Sequence, residues 1–151
     1  MGNLTLSTFL YFGNLVLSSA NVIISFSLLI YIASHNLHSL VARAFFALMT
    51  AICVIYLGDI SIAEAQTLSS ANFWLHFQWL GIAFIPAAYT HFSTAMLRTT
   101  GDTSRVRRMF VWVGYALGIL TIVLVYTGSS LVGPAILSES LYHLTPGRLF
   151  T

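Results

Sequence analysis

Four apolar stretches follow one another along this chain, at about 9–32, 41–57, 73–97 and 109–131. Each is close to the roughly 20 residues that an α-helix needs to cross a bilayer. A helix of that kind satisfies its own backbone polar groups, so hydrocarbon can be its solvent. The runs are continuous rather than alternating, which argues against a β-barrel. Six arginines and four carboxylates are the only formal charges among 151 residues, and lysine is absent. Charged residues make up 7% of the chain and mean hydropathy is +0.87. A soluble domain carries roughly 25% charge, so no water-facing exterior can be built from this composition. The expected fold is all-α, a polytopic membrane bundle of four helices with short loops, forming one domain over 1–151. No basic residue precedes the first apolar run and no convincing small-residue cleavage site follows it. That run therefore reads as a span and not as a signal peptide.

Charge placement gives the bundle a sidedness. Arg98, Arg105, Arg107 and Arg108 gather between the third and fourth stretches, while Arg43, with His35 and His38 beside it, adjoins the turn between the first two. The segment before the first helix and the turn from Gly58 to Asn72 contain no arginine, and that turn holds Asp59 and Glu64. Basic residues flank spans on the cytoplasmic side, so the N-terminus is expected outside and the arginine turn inside. Arg148, on the outer tail, is the one dissent. These arginines are expected to meet lipid headgroups rather than a substrate or a nucleic acid. Ser69, Ser70 and Asn72 are candidate caps for the third helix, Thr103 and Ser104 for the fourth, and Gly101 can end the third. Beyond the fourth helix, Tyr142 to Gly147 reads as a turn and Arg148–Thr151 as the start of another apolar element. The chain is thus expected to be truncated before further helices; a short tail on a complete four-helix protein is the other reading.

Polar residues inside the spans narrow the chemistry. Asn14, Ser18, Asn21 and Ser25 recur at spacings of four, three and four, which puts them on one helical face. That face should turn toward other helices, either to make ordinary interhelical hydrogen bonds or to line a polar path. Gly114 and Gly118 form a Gly-x-x-x-Gly pattern, and Ala44, Ala47 and Ala51 a similar small-residue face; both suit close packing, within the bundle or with a second copy. The third helix contains Gly81 and Pro86. The proline lacks an N–H and crowds the carbonyl of Ile82, so a kink is expected, either as a static packing feature or as a hinge. His76 and His91 are weak candidates for holding a pigment. They lie 15 residues apart, about 22 Å along a helix, so they cannot ligate one haem together. His35 and His38 do not complete a zinc site. Cys53 is alone and makes no intrachain disulfide. The four carboxylates are scattered and no nucleophile or phosphate-loop motif occurs, so neither an enzyme nor a bound cofactor is expected. Asn3-Leu4-Thr5 matches a glycosylation sequon, a pattern that often arises by chance.

The run Phe73-Trp74-Leu75-His76-Phe77-Gln78-Trp79-Leu80-Gly81-Ile82-Ala83-Phe84-Ile85-Pro86, followed by Phe92 and Gly101, resembles the N-terminal seven-helix membrane region of bacterial histidine kinases. The residues that carry the likeness are Trp74, Trp79-Leu80-Gly81, Pro86, Phe92 and Gly101. The resemblance implies a bundle in the bacterial cytoplasmic (inner) membrane with its N-terminus outside, in agreement with the arginine count. It also implies three further helices and an output domain that this sequence does not contain, so the chain cannot phosphorylate anything by itself. The preferred reading is a non-catalytic sensory input region whose partners are the bilayer and other transmembrane helices: its own missing helices, a homodimer partner or complex subunits. The other reading is an accessory subunit of a respiratory or photosynthetic membrane complex that packs through small-residue faces. A small transporter is a third, weakened by the lack of a buried acid and of repeat symmetry. Topology is directly testable: a reporter fused at Thr103 is expected to be active in the cytoplasm and one fused at Gln66 outside, and the reverse pattern would overturn the orientation.

Overall fold

The computed structural model describes residues 2–35, 37–101, 104–127, 132–138 and 141–146. Four helices come first in the chain, α1 (Gly2–His35), α2 (Leu40–Ala63), α3 (Leu68–Thr99) and α4 (Arg105–Tyr126), followed by two strands, β1 (Val132–Ser138) and β2 (Leu141–Pro146). All four helices are long and apolar enough to cross a membrane. The 34 residues of α1 and the 32 of α3 extend roughly 50 Å, well beyond a hydrocarbon core of about 30 Å.

Contacts run in chain order. α1 packs on α2, α2 on α3 and α3 on α4, and the two strands pair with each other and rest on α3; no other pair among the described elements meets over more than a residue or two. The result is a row of antiparallel helices with α1 and α4 at its edges. Side chains buried in the row are mostly small: Ala44, Ala51, Ala71, Ala87, Ala88 and Ala95. Large apolar side chains such as Phe9, Leu17, Phe110 and Trp112 point outward. That distribution is inverted relative to a water-soluble core, and it suits lipid, which is as apolar as leucine and leaves backbone-to-backbone packing as the main attraction between helices.

Several boundaries differ from the sequence expectation. α2 continues six residues past Leu57 to Ala63, so Gly58 and Asp59 lie within a helix and only Glu64, its C-cap, begins the turn. α3 starts at Leu68, which makes Thr67 the N-cap; its hydroxyl accepts from the Ser70 N–H at 3.2 Å. Ser69 and Ser70 are therefore first-turn residues rather than caps. Ser104 occupies the N-cap of α4, and Thr103 lies outside the described residues. Gly101 does end α3. It takes φ +91°, the left-handed conformation that a side chain disfavours, and its N–H bonds back to the Arg98 carbonyl at 3.3 Å. α4 stops at Tyr126 and not 131, because Thr-Gly-Ser-Ser supplies poor helix formers just there.

The expected polytopic helical bundle is present, and a β-hairpin not expected from the sequence is appended to it. The strands are antiparallel, with Ala135 opposite Leu144 and Ser138 opposite Leu141. Tyr142 to Pro146, expected as a turn, forms β2; Gly147 and Arg148–Thr151 lie outside the described residues. Pro134 cannot donate to a ladder and sits at an irregularity between Val132 and Ala135. Gly133 is required beside it, since a Cβ there would lie 2.2 Å from the Thr145 hydroxyl. That hydroxyl donates to the Pro134 carbonyl at 3.0 Å. Burial alternates along the strand, with Gly133 and Ala135 inward and Pro134 and Ile136 outward.

Glycines set the spacing of α3 to both neighbours. A Cβ at Gly81 would meet the Ala51 carbonyl oxygen of α2 at 2.6 Å, and one at Gly118 of α4 would meet the Ala83 carbonyl oxygen at 2.9 Å. Gly13 has nothing within 4 Å. Gly81→Val and Gly118→Val are therefore expected to destabilise the bundle by about 1–3 kcal/mol each. Gly13→Ala should leave its thermal midpoint in detergent unchanged or slightly raised.

Candidate functional site

The centre of α3 is approached by glycine contacts from two sides. Toward α2, Gly81 lies against Ala51 and Ile55. Toward α4, Gly118 lies against Ala83 and Phe84, and Gly114 against Ala87, whose Cα is 3.3 Å from an added Cβ. Gly114 and Gly118 thus pack inside the bundle, on residues to either side of Pro86. The helix runs unbroken through that proline, which is itself exposed, while Ala87 and Ala88 beside it are almost fully buried. Pro86 leaves Ile82 without its usual intrahelical donor. The segment between Gly81 and Ala88 therefore combines glycine-set close approach to both neighbours with a missing backbone donor.

Two polar links fasten α3 on opposite sides and at opposite ends of this segment. Gln78, only 8% exposed, reaches into α2, where its Nε2 donates to the Ile55 carbonyl at 3.1 Å and to Asp59 Oδ1. Gly58 makes room, since a Cβ there would sit 2.1 Å from Gln78 Cγ. Asp59, expected in a loop, is instead a half-buried partner in a helix interface. Toward α4, His91 Nδ1 and the Tyr115 hydroxyl are 3.2 Å apart, with their rings edge to face at 5.9 Å. Neither Gln78, Asp59 nor Tyr115 stood out in the sequence as a site residue. The signal available was a lone amide in an apolar helix, which in hydrocarbon requires a partner.

The remaining candidates fall in separate places. On α1, Ser18 and Ser25 are buried, Asn21 is half-buried and Asn14 is exposed; the expected polar face turns only partly inward, against α2. His76 is tied locally, its Nδ1–H donating to the Asn72 carbonyl at 2.7 Å and its ring meeting Tyr126 edge-on at 6.0 Å. The Tyr126 hydroxyl in turn donates to the His76 carbonyl at 3.1 Å. Asn72, expected as a cap, accepts from the Ala135 N–H at 3.0 Å and so docks the hairpin on α3. His76 and His91 are thus engaged with different partners near opposite ends of α3. No group of three potential metal ligands occurs among the described residues. Arg98, Arg105 and Arg108 are exposed and Arg107 is half-buried. Arg98 and Arg108 border a cavity of about 290 Å³ that His91, Val111, Trp112 and Tyr115 also line.

Removing the Gln78 amide takes away the donor that meets the Asp59 carboxyl and the second donor to the Ile55 carbonyl. Gln78→Leu is expected to cost about 1–2 kcal/mol, read as a lower unfolding midpoint. Asp59→Asn keeps an acceptor at the same position and should cost less than half as much; equal losses would mean that charge, not hydrogen bonding, holds the pair.

The residues that carry the family likeness have structural work in this frame. Trp74 meets Phe73 and Phe77 edge-on, Phe92 meets Phe45 of α2 at 5.4 Å, and Gly81 and Gly101 are the close-approach and helix-ending glycines described above. The family model described as the N-terminal 7TM region of histidine kinase matches residues 17–150, nearly the whole chain and the hairpin with it. Neither a curated protein nor a solved structure matches. The match favours a sensor over an accessory subunit of a respiratory or photosynthetic complex. The chain belongs to the N-terminal 7TM region of histidine kinase family, and is a non-catalytic, multi-pass sensory input bundle of the bacterial inner membrane.

Proposed function

We propose that this bundle relays a stimulus by a shift of α3 about Pro86, which moves α4 relative to α2 and so changes the state of whatever lies downstream. The observation that carries the reading is the position of Pro86 among three glycine contacts, that of Gly81 of α3 against α2 and those of Gly114 and Gly118 of α4 against α3. Interfaces set by glycine against backbone have few intermediate positions, because a small displacement either clashes or opens a gap. The Gln78–Asp59 and His91–Tyr115 links bracket the hinge and bias which arrangement is populated. A stimulus acts by favouring one arrangement over the other.

In this reading the N-terminus and the hairpin lie outside and the arginine turn lies in the cytoplasm, where Arg98, Arg105, Arg107 and Arg108 meet headgroups. The arginine count supports that sidedness. The four spans are taken as the first four of seven, with further helices of the same protein covering the edges of the row. Ser18 and Ser25 pack α1 on α2, with Asn21 and Asn14 toward its open side.

The test is to let this region replace the first four helices of a seven-helix histidine kinase of the same family, so that the output domain stays cytoplasmic, and to measure phosphorylation in membrane vesicles. Pro86→Ala and Gly118→Leu are expected to move basal phosphorylation about fivefold or more, the lower end of a typical coupling between sites. Correctly inserted variants with unchanged phosphorylation would sink the hinge.

A further inference from the structure

We propose that the cavity at the arginine end of the α3–α4 seam is a binding site for one anionic phospholipid, with the phosphodiester between Arg98 and Arg108 and an acyl chain lying over Val111 and Trp112. The site has an entrance, a charged rim and an apolar wall. Arg98 comes from the last turn of α3 and Arg108 from the start of α4, so two helices contribute one cation each. Among the described residues no carboxylate lines the cavity. Among the described residues neither guanidinium has an ion-pair partner. Arginine's planar fork suits two oxygens of a phosphate, and every cation in this chain is arginine.

Helix polarity adds a second reason. α4 has no acidic residue in its first turn and instead begins with Arg105, Arg107 and Arg108. Cations there oppose the positive end of the helix dipole, and a bound anion compensates both. The inner wall is the hydrogen-bonded His91–Tyr115 pair, able to meet ester or glycerol oxygens.

Size and surroundings select a lipid over free phosphate. About 290 Å³ accommodates a headgroup but not a whole lipid, so the tails must leave the cavity. Buried Val111 and the 72% exposed ring of Trp112 continue the wall along the outward face of α4. That face is apolar onward through Val113, Leu117 and Leu120, all exposed. A tail leaving over Trp112 therefore stays in contact with protein while entering hydrocarbon. An inorganic phosphate would use the rim and leave this wall bare. The site does not depend on the hinge, and fails or stands separately from it.

The test uses the full chain purified in a non-ionic detergent, with Trp74→Phe and Trp79→Phe so that Trp112 is the sole tryptophan. Phosphatidylglycerol or phosphatidylcholine with brominated acyl chains is titrated in and quenching is followed. Phosphatidylglycerol should quench saturably and at least about fivefold more tightly than phosphatidylcholine. Arg98→Gln and Arg108→Gln should each weaken it about fivefold, whereas Arg105→Gln, away from the cavity, should change it less than twofold. Equal quenching by both lipids, or an equal loss in Arg105→Gln, would reduce the site to diffuse surface attraction and overturn the proposal. Displacement by inorganic phosphate at matched concentration would reassign it to a soluble anion. Should the substituted chains fail to fold, native mass spectrometry of the unaltered chain from mixed vesicles decides: retention of phosphatidylglycerol over phosphatidylcholine supports the site, and equal retention refutes it.

Discussion

Close approach of backbone to backbone along α3 is the constraint from which the arrangement follows. In lipid, removing an apolar side chain from its surroundings gains little, because the surroundings are equally apolar. Association must then come from dispersion between closely spaced atoms and from hydrogen bonds made in a low dielectric. Both require small residues at the seams. Ala51, Gly81, Ala87, Gly114 and Gly118 provide them, and the large side chains are left for the lipid face. α3 is the only described helix with such contacts on two sides, which is why the hairpin, the arginine cavity and both polar links all involve it.

The two links differ in kind. Gln78 is an amide held against a carboxyl and a carbonyl, so it must stay paired wherever α3 moves. His91 and Tyr115 are two amphipathic rings with one hydrogen bond between them, beside the cavity at the arginine end of the α3–α4 seam. The first is suited to fixing register and the second to yielding.

Much of this architecture was legible in the sequence, because hydrocarbon imposes length and composition directly on each span. All four helices and the helix-ending role of Gly101 follow from residues alone, whereas the Gly-x-x-x-Gly pattern announces close packing without saying whether its partner is α3 or a second copy. Helix ends were less legible: Gly58 and Asp59 look like turn chemistry, yet the Gln78 side chain supplies a partner for Asp59 and a reason for Gly58. That partner is on another helix, so no local pattern announces it. The hairpin was hidden for a similar reason. Leu131 to Leu137 is as apolar as the helix before it, and only the Gly-Pro pair and the alternation of burial distinguish a strand. The cavity was legible as an arginine cluster but not as a space, since its wall is made where α3 and α4 meet, His91 from one and Tyr115 from the other, and that meeting is not written in either helix.

The row of helices also has a mechanical meaning. α1 and α4 share no extensive contact among the described residues, so a displacement entering at one edge reaches the other only through three joints in series. Elements in series are as stiff as the softest of them. The α1–α2 joint has no glycine seated on a neighbouring backbone; Gly13 faces open space, and the joint relies on buried serines and on the Tyr11 hydroxyl, which donates to the Ala63 carbonyl at 3.1 Å. The α1–α2 joint is therefore compliant, so α1 can follow or lag a shift of α3 without holding it back.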